Sequence, residues 1–328
     1  MTPSPLELAL IDRWQHDFPL VERPFEIVAR SAALKQDETI RIFQSMRNRK
    51  VISRIGAVVR PNSMGASTLA ALEVPPERLE EVAGLVSQEP LVTHNYEREH
   101  RLNLWFVIAG ADKKAIASTI RRIEERTALD VIDLPMLQAY HLGLGFPLQG
   151  AAQRRRSASC GLTDYSPQAR DRNILAAIED GLPLVERPYQ SVAEDLQLHE
   201  SDIIARLEHL VASGIVTRFG CVVRHDKLGY RANAMAVWDV PDDMVDTVVA
   251  MFARHPHVTL CYRRPRRPPI WPYNIFCMVH AKSRSDAYAV IDEINLRADT
   301  GLKKQAVLFS KRCFKQRGAV FSARGGMN

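Results

Sequence analysis

The chain has 328 residues, 46% of them hydrophobic, with 44 Lys and Arg against 38 Asp and Glu for a formal net charge of +6. Its five cysteines (Cys160, Cys221, Cys261, Cys277, Cys313) make no CxxC pair, which argues against a zinc site and for a reducing compartment. No apolar run reaches the ~18 residues of a membrane helix, and the opening "MTPSPLELALIDRW" has no basic stretch leading into an apolar one, so a cytoplasmic location is expected.

In chain order, "ELALIDRWQ" reads as a short helix, followed by "DFPLVERP". Pro24 then opens a second helix, "FEIVARSAAL", at the first turn, where a missing N–H costs nothing. "KQDE" reads as a turn with an N-cap, and "TIRIFQSMRNR" as a third helix with apolar residues at i, i+3 and i+4. "VISRIGAVV" follows as the strand of a β-wing. Beyond it the pattern alternates strand, helix, strand, strand, helix, strand over about 66–74, 77–88, 91–98, 103–110, 113–127 and 130–137, a ferredoxin-like βαββαβ unit.

Then the series starts again. "PLVERP" at Pro19 recurs at Pro183, and between Pro19/Pro183 and Arg60/Arg224 there are 15 identities in 42 ungapped pairs. "VTHNYERE" meets "VTLCYRRP", and "NLWFVIAGAD" meets "NIFCMVHAKS". Pro188 repeats the role of Pro24, and Gly214 is placed as a C-cap glycine. The chain is therefore two copies of a unit of roughly 145 residues, a domain-scale length. It reads as an α+β tandem duplication, a covalent version of a two-fold dimer. The expected boundaries are a winged helix-turn-helix at 1–62, a βαββαβ domain at 63–148, a linker at 149–168, a second winged helix-turn-helix at 169–226, a second βαββαβ domain at 227–318 and a disordered tail at 319–328. Helix-turn-helix plus βαββαβ resembles the layout of the Lrp/AsnC regulators.

That layout suggests DNA, but the residues press the case weakly. The first recognition helix offers Arg41, Gln44, Arg47 and Arg49. The second offers Arg206 and His209 beside Asp202 and Glu208, close to neutral and poor for phosphate. The cations are lopsided, 34 Arg to 10 Lys, and Arg forks onto carboxylates in a way Lys cannot.

The βαββαβ halves carry more chemistry. Strand alternation puts His94, Tyr96 and Arg98 on one face, with His100 at the turn and Arg101 and Asn103 following. The alternative is that this is merely the solvent face of the sheet. The second copy keeps Tyr262 and Arg264 in register, puts Leu260 where His94 stands, and inserts a Pro- and Arg-rich loop with Trp271 and Tyr273. Arginines beside aromatics suit a flat anionic ligand, although a stiff surface loop would read the same way. "RHDKLGYRAN" adds His225, Tyr230, Arg231 and Asn233; His225 and His280 read first as structural histidines.

The strings "VERPF", "VTHNYEREHRLNLWF", "WPYNIF.M.H" and "LGYRAN.M..W.VP" resemble the siroheme decarboxylases of the Lrp/AsnC-like superfamily, over nearly the whole chain and in the fused two-subunit form. The resemblance implies loss of CO2 from the C12 and C18 acetates of siroheme, giving 12,18-didecarboxysiroheme for haem d1 synthesis. No added cofactor and no protein-bound metal are implied, since the iron arrives in the substrate. On this reading His94 and His100 steer the carboxylate and donate the proton, with Tyr96 assisting. Arg98, Arg101, Asn103, Arg60, Arg224, Arg231, Tyr262, Arg263, Arg264, Trp271 and Tyr273 are the expected substrate anchors. The partners are siroheme and the other half of the chain as an internal pseudo-dimer, with further homodimerisation open and DNA and membrane not expected. A DNA-binding regulator or a non-catalytic tetrapyrrole carrier are the competing readings.

Overall fold

The computed structural model describes residues 3–142, 165, 167–224, 228–255, 257–298 and 304–318. The linker from 149 to 164, the tail from 319, His225 and Cys160 lie outside them. The chain forms two compact units, and the division does not follow the repeat. Both helix-turn-helix copies fold together in one unit; both βαββαβ copies, at 65–144 and 230–318, fold together in the other.

In the first unit, α1 (Pro5–Trp14), α2 (Pro24–Ser31), α3 (Gln36–Asn48) and β1 (Ile52–Val59) form the first copy. Phe18, Phe25 and Phe43 build its core through an edge contact of 5.5 Å and a tilted one of 5.9 Å. "QDE" and its counterpart "ESD" are the first turns of helices rather than a turn. Lys35 and His199 occupy the caps without a side-chain bond, and acidic residues in the first turn favour the helix dipole instead. Pro24 and Pro188 open their helices as expected, and Gly214 follows the last helical residues at φ +73°.

The β-wing is not formed within a copy. Each copy contributes one strand, and β1 pairs antiparallel with its equivalent in the second copy, Val216–Val223, with Gly56 opposite Gly220. The close-packed end of α1 requires that glycine: a Cβ on Gly220 would lie 2.6 Å from the carbonyl oxygens of Trp14 and Gln15. The repeated hexapeptide meets itself in the same unit. Arg23 pairs with Glu186 at 3.5 Å and Arg187 with Glu22 at 3.1 Å, while the Tyr189 hydroxyl donates to the Pro19 carbonyl at 2.7 Å. A Glu–Arg dipeptide is self-complementary about a two-fold axis, which is why the same letters serve both sides.

In the second unit the first copy supplies β2 (Ala66–Leu72), α4 (Leu79–Gln88), β3 (Val92–Arg98), β4 (Leu104–Gly110), α5 (Lys113–Thr127), β5 (Ile132–Pro135) and β6 (Gln138–Leu142). After the three helices of the second helix-turn-helix (α6 to α8, Ala169–Ala177, Pro188–Leu196 and Glu200–Ala212) and its strand β7 (Val216–Val223), the second copy supplies β8 (Ala232–Trp238), α9 (Val245–Phe252), β9 (Val258–Arg263), β10 (Ile275–Ala281), α10 (Arg284–Ala298) and β11 (Gln305–Gln316). The nine described strands run β5-β2-β4-β3-β11-β8-β10-β9-β6.

Each copy's last segment crosses to the other. β11 pairs with β8 through Phe309 and with β3 from Ser310 onward, and β6 pairs with β9. β5 and β6 are separated only by Met136 and Leu137, so one chain segment joins the two ends of the strand order. One face of each half-sheet packs on its own helices: Leu104, Phe106 and Ile108 against α4 and α5, Ile275, Cys277 and Val279 against α9 and α10. The opposite faces share a third cluster containing Trp105, Trp271, Tyr262, Phe276 and Leu308.

Candidate active site

A β-bulge sets the row of polar residues. Val92 lies opposite Ile108, and the register then slips so that His94 lies opposite Val107 and Tyr96 opposite Trp105. Val92 therefore faces the helices, while His94, Tyr96 and Arg98 face the cluster shared by the two copies rather than solvent. Asn95, on the helix side, donates to the Ala83 carbonyl and to Ser87, both at 3.0 Å. Glu97 receives Lys311 at 2.7 Å and Arg312 at 2.6 Å from β11, and these cations hold its carboxyl below the usual range against the opposing effect of burial.

Along the row, His94 and Tyr96 are half-buried with their rings stacked 6.3 Å apart. Arg98 is buried, its guanidinium 5.8 Å from the Tyr96 ring, and Nη1 donates to the Leu308 carbonyl at 3.1 Å. Burial holds its pKa down to about 10, so it stays cationic at neutral pH.

The second copy mirrors this. The Arg264 guanidinium lies 4.7 Å from the Tyr262 ring and donates to the Leu134 carbonyl. Each arginine thus reaches a carbonyl of the opposite copy. Neither forms an ion pair among the described residues, and Nε of both has no hydrogen-bond partner. Asp133 acts on Arg264 only at longer range, and desolvation lowers its pKa too. An ion desolvated inside a protein costs several kcal/mol unless paired. Two such ions on one shared face are a place for an incoming anion.

The histidines are held in defined tautomers. The Thr93 hydroxyl donates to the Val107 carbonyl at 3.3 Å, so it accepts from His94 Nδ1–H at 3.0 Å. Nε2 is then the basic nitrogen of His94. His100 Nδ1 accepts the Leu102 N–H at 3.0 Å, which puts the proton of its neutral ring on Nε2. Burial, with Arg101 adding to it, holds the His100 pKa below its ordinary value. His94 and His100 do not form a pair: Arg98 lies four residue steps along the strand from His94, about 13 Å, and the turn carries His100 on to meet Trp271 edge-on at 5.5 Å.

Family models match both halves: a siroheme decarboxylase NirDL-like helix-turn-helix domain at 7–52 and 171–216, and an AsnC-like ligand-binding domain at 63–141 and 227–315. The chain is 41% identical to the siroheme decarboxylase NirDL subunit of Paracoccus denitrificans over 98% of this chain and 99% of that one. It is 30% identical to a siroheme decarboxylase of Hydrogenobacter thermophilus over 92% and 90% of the two chains. The chain belongs to the siroheme decarboxylase family. A crystal structure of siroheme decarboxylase NirDL superposes with a TM-score of 0.71 at 28% identity, covering 96% of this chain and 94% of that one. A second, in complex with an iron-uroporphyrin III analogue, gives 0.70 at 28% identity over 95% and 93%.

Within this siroheme decarboxylase fold the other expected anchors are dispersed. Arg101 is exposed and pairs with Glu73 at 2.7 Å. Asn103 clamps Val74 through both its N–H and its carbonyl, at 2.9 and 2.8 Å, and Asn274 repeats that clamp on Val240. Arg263 pairs with Asp242 at 2.9 Å, and Arg231 is exposed. Arg60 and Arg224 belong to the helix-turn-helix unit, where Arg60 Nε donates to the Gly214 carbonyl at 3.0 Å.

The inserted loop is anchored in the core, with residues 267–270 exposed at its tip. Trp271 is 0% exposed, packed against Trp105 at 5.0 Å and Tyr273 at 4.9 Å, and Arg266 is held by Asp239 and Asp242. In the recognition helices, Arg49 pairs with Glu7, Gln44 donates to the Leu184 carbonyl, and Arg206 is committed to Asp171. Among the described residues no helix is long and apolar enough to cross a membrane. Sequence reasoning overlooked the two threonines that hold histidines, Thr93 and Thr259; the signal was present as "VT" at the same place in both copies.

Proposed function

We propose that the chain is a siroheme decarboxylase that removes CO2 from the C12 and C18 acetates of siroheme, giving 12,18-didecarboxysiroheme on the route to haem d1. The observation that carries this reading is the pair of buried guanidinium groups without carboxylate partners among the described residues, on the face that also presents His94 and Tyr96. A ring bearing many carboxylates supplies the missing counter-ions, and Tyr96 and Tyr262 give it aromatic surface.

In the reaction the bond between the acetate CH2 and its carboxylate breaks. CO2 leaves neutral, and the electron pair stays on the CH2 carbon, delocalised into the macrocycle. A proton from the protein then completes the methyl group, with no net oxidation. The tautomers support a division of labour. His100, whose neutral ring carries its proton on Nε2, donates a hydrogen bond that steers a carboxylate. His94, its Nδ1–H fixed on Thr93, delivers the proton from Nε2 once protonated. The distance between them suits groups at different points on one macrocycle's rim. Substrate iron is the only metal this scheme uses. The four described cysteines are free thiols, which supports a reducing, cytoplasmic setting.

The test is anaerobic incubation of the purified chain with siroheme, followed by mass spectrometry of the tetrapyrrole. Loss of two CO2 is the expected result. Tight binding with unchanged mass would replace the enzyme by a carrier, and absence of binding would overturn the reading altogether.

A further inference from the structure

Leu260 stands where His94 would be in the second copy, which by itself reads as the loss of a reaction centre. The neighbouring strand tells otherwise. Thr259 is the repeat equivalent of Thr93, and its hydroxyl donates to the Met278 carbonyl at 3.2 Å, just as Thr93 donates to Val107. Met278 is the repeat equivalent of Val107. The Thr259 hydroxyl oxygen then meets Nδ1 of His280 at 3.0 Å, the same distance at which Thr93 meets His94.

The ladder between β10 and β8 is unbroken, so His280 lies on the same face as Phe276 and Met278, both in the shared cluster. Along that face follow Tyr262 and Arg264, the counterparts of Tyr96 and Arg98. Opposite His280 sits Asn233, whose buried Oδ1 has no hydrogen-bond partner among the described residues. An acceptor left open beside an imidazole is matched by a bound group that carries a proton.

We infer that His280 is the second copy's proton donor, held by Thr259 as His94 is held by Thr93, so that one chain carries two reaction centres and each serves one acetate. The inference rests on the decarboxylase reading. Duplication left the threonine, tyrosine and arginine in place and moved the histidine from β3 in one copy to β10 in the other. At the second centre protonated His280 gives its Nε2 proton to the CH2 carbon that CO2 has left; the ring returns to its neutral form and takes a proton from water. No oxidant or reductant enters. The second copy has no histidine at the place of His100, since none occurs between Tyr262 and Asn274. The two centres are therefore unequal, and so are the rates expected of them.

The experiment compares the full-length chain with His94→Asn, His280→Asn and the double variant. Asparagine can keep the bond to threonine while removing the acid. Each is incubated anaerobically with siroheme, and the products are resolved by mass and by position. The unaltered chain should lose two CO2. His280→Asn should stop after one, with the second loss slowed by about 10²–10⁴-fold. His94→Asn should stop at the other acetate, and the double variant should lose neither. Thr259→Val should slow the same step as His280→Asn by about tenfold, and Thr259→Ser should restore it, a rescue that a packing role alone would not give. Siroheme titration and thermal unfolding confirm that each variant is folded and loaded.

Completion of both losses at the normal rate by folded His280→Asn would overturn the inference. So would equal abolition of both losses by either single variant, which would mean one shared centre. An inactive unaltered chain would instead sink the decarboxylase reading itself.

Discussion

The first and second βαββαβ copies present the same Tyr–Arg step to the face they share, and each arginine bonds a carbonyl of the opposite copy. Around that fixed step almost everything else differs. The first copy has two histidines on or beside β3, both half-buried. The second has one on β10, 8% exposed, and an inserted loop whose Trp271 fills the space next to His100. The shared parts are those that hold charge in the interior; the divergent parts are those that would handle a proton or shape access. A symmetric pair of subunits could not separate these duties, and fusion of two copies allows it.

The sharpest break between the copies is His94. His94→Asn should lower the rate of the CO2 loss it serves by about 10²–10⁴-fold while siroheme affinity stays within a few-fold, measured by single-turnover mass spectrometry and by titration. Equal loss of rate and affinity would make His94 an anchor instead. Trp271 comes next, because it has no equivalent in the first copy. Trp271→Ala removes a fully buried indole and should destabilise the protein by about 3–5 kcal/mol, seen as a lower urea midpoint. An unchanged midpoint would show that the loop merely covers a surface formed without it.

Arg98 tests what the common step is for. Arg98→Met replaces a desolvated cation by an apolar chain of similar length, so the unliganded protein should be as stable or more so. Siroheme binding should weaken about tenfold or more, the loss of one charged hydrogen bond. Stability and affinity moving in opposite directions would identify the arginine as a binding feature; a large drop in stability would assign it to the fold. Arg264→Met should behave the same way if the copies are equivalent in this respect.

A smaller contrast lies in pH. The folded state holds the His100 pKa below its ordinary 6.5, so the unfolded chain takes up that proton first. The stability associated with a neutral His100 is complete above pH 6.5 and is lost as pH falls through the lower folded value. His100→Gln removes this dependence, and its unfolding midpoint should fall less steeply below pH 6.5 than that of the unaltered chain. Parallel slopes would place the ring in water, contrary to its contact with Trp271.

Much of this was legible in the sequence because the signals were local. The strand and helix limits of the first βαββαβ copy follow from apolar periodicity within a residue or two, and Pro24, Pro188 and Gly214 act through their own backbone constraints. The common face of His94, Tyr96 and Arg98 followed from strand alternation. What escaped was set by pairing between distant strands. The β-wing joins β1 to its copy rather than to a neighbour in sequence, and β6 and β11 cross to the other copy. The bulge that turns His94 inward while Val92 faces the helices has no composition of its own. Asn103 and Arg101 looked like ligands because nothing in the chain announces their partners, Val74 and Glu73. The bond from Thr259 to His280 spans 21 positions and two strands.

The smallest effect expected concerns the words the two copies share outright. Glu22 and Glu186 face Arg187 and Arg23 across the local two-fold of the helix-turn-helix unit, with more than a third of each of these four side chains exposed. Exposed pairs gain little over water and are screened by salt. Neutralising the two acids, Glu22→Gln and Glu186→Gln, removes both attractions while Arg23 keeps Glu26 and Arg187 keeps Glu200. The unfolding midpoint should therefore fall only slightly, and the shift should disappear in high salt. Glu22→Arg and Glu186→Arg set like charges together, and should cost more than neutralisation at low salt and the same at high salt. A midpoint that neutralisation leaves unmoved at every salt concentration would mean that the hexapeptide is kept for its backbone path, through Pro19 and the Tyr189 hydroxyl bond, with its charges incidental.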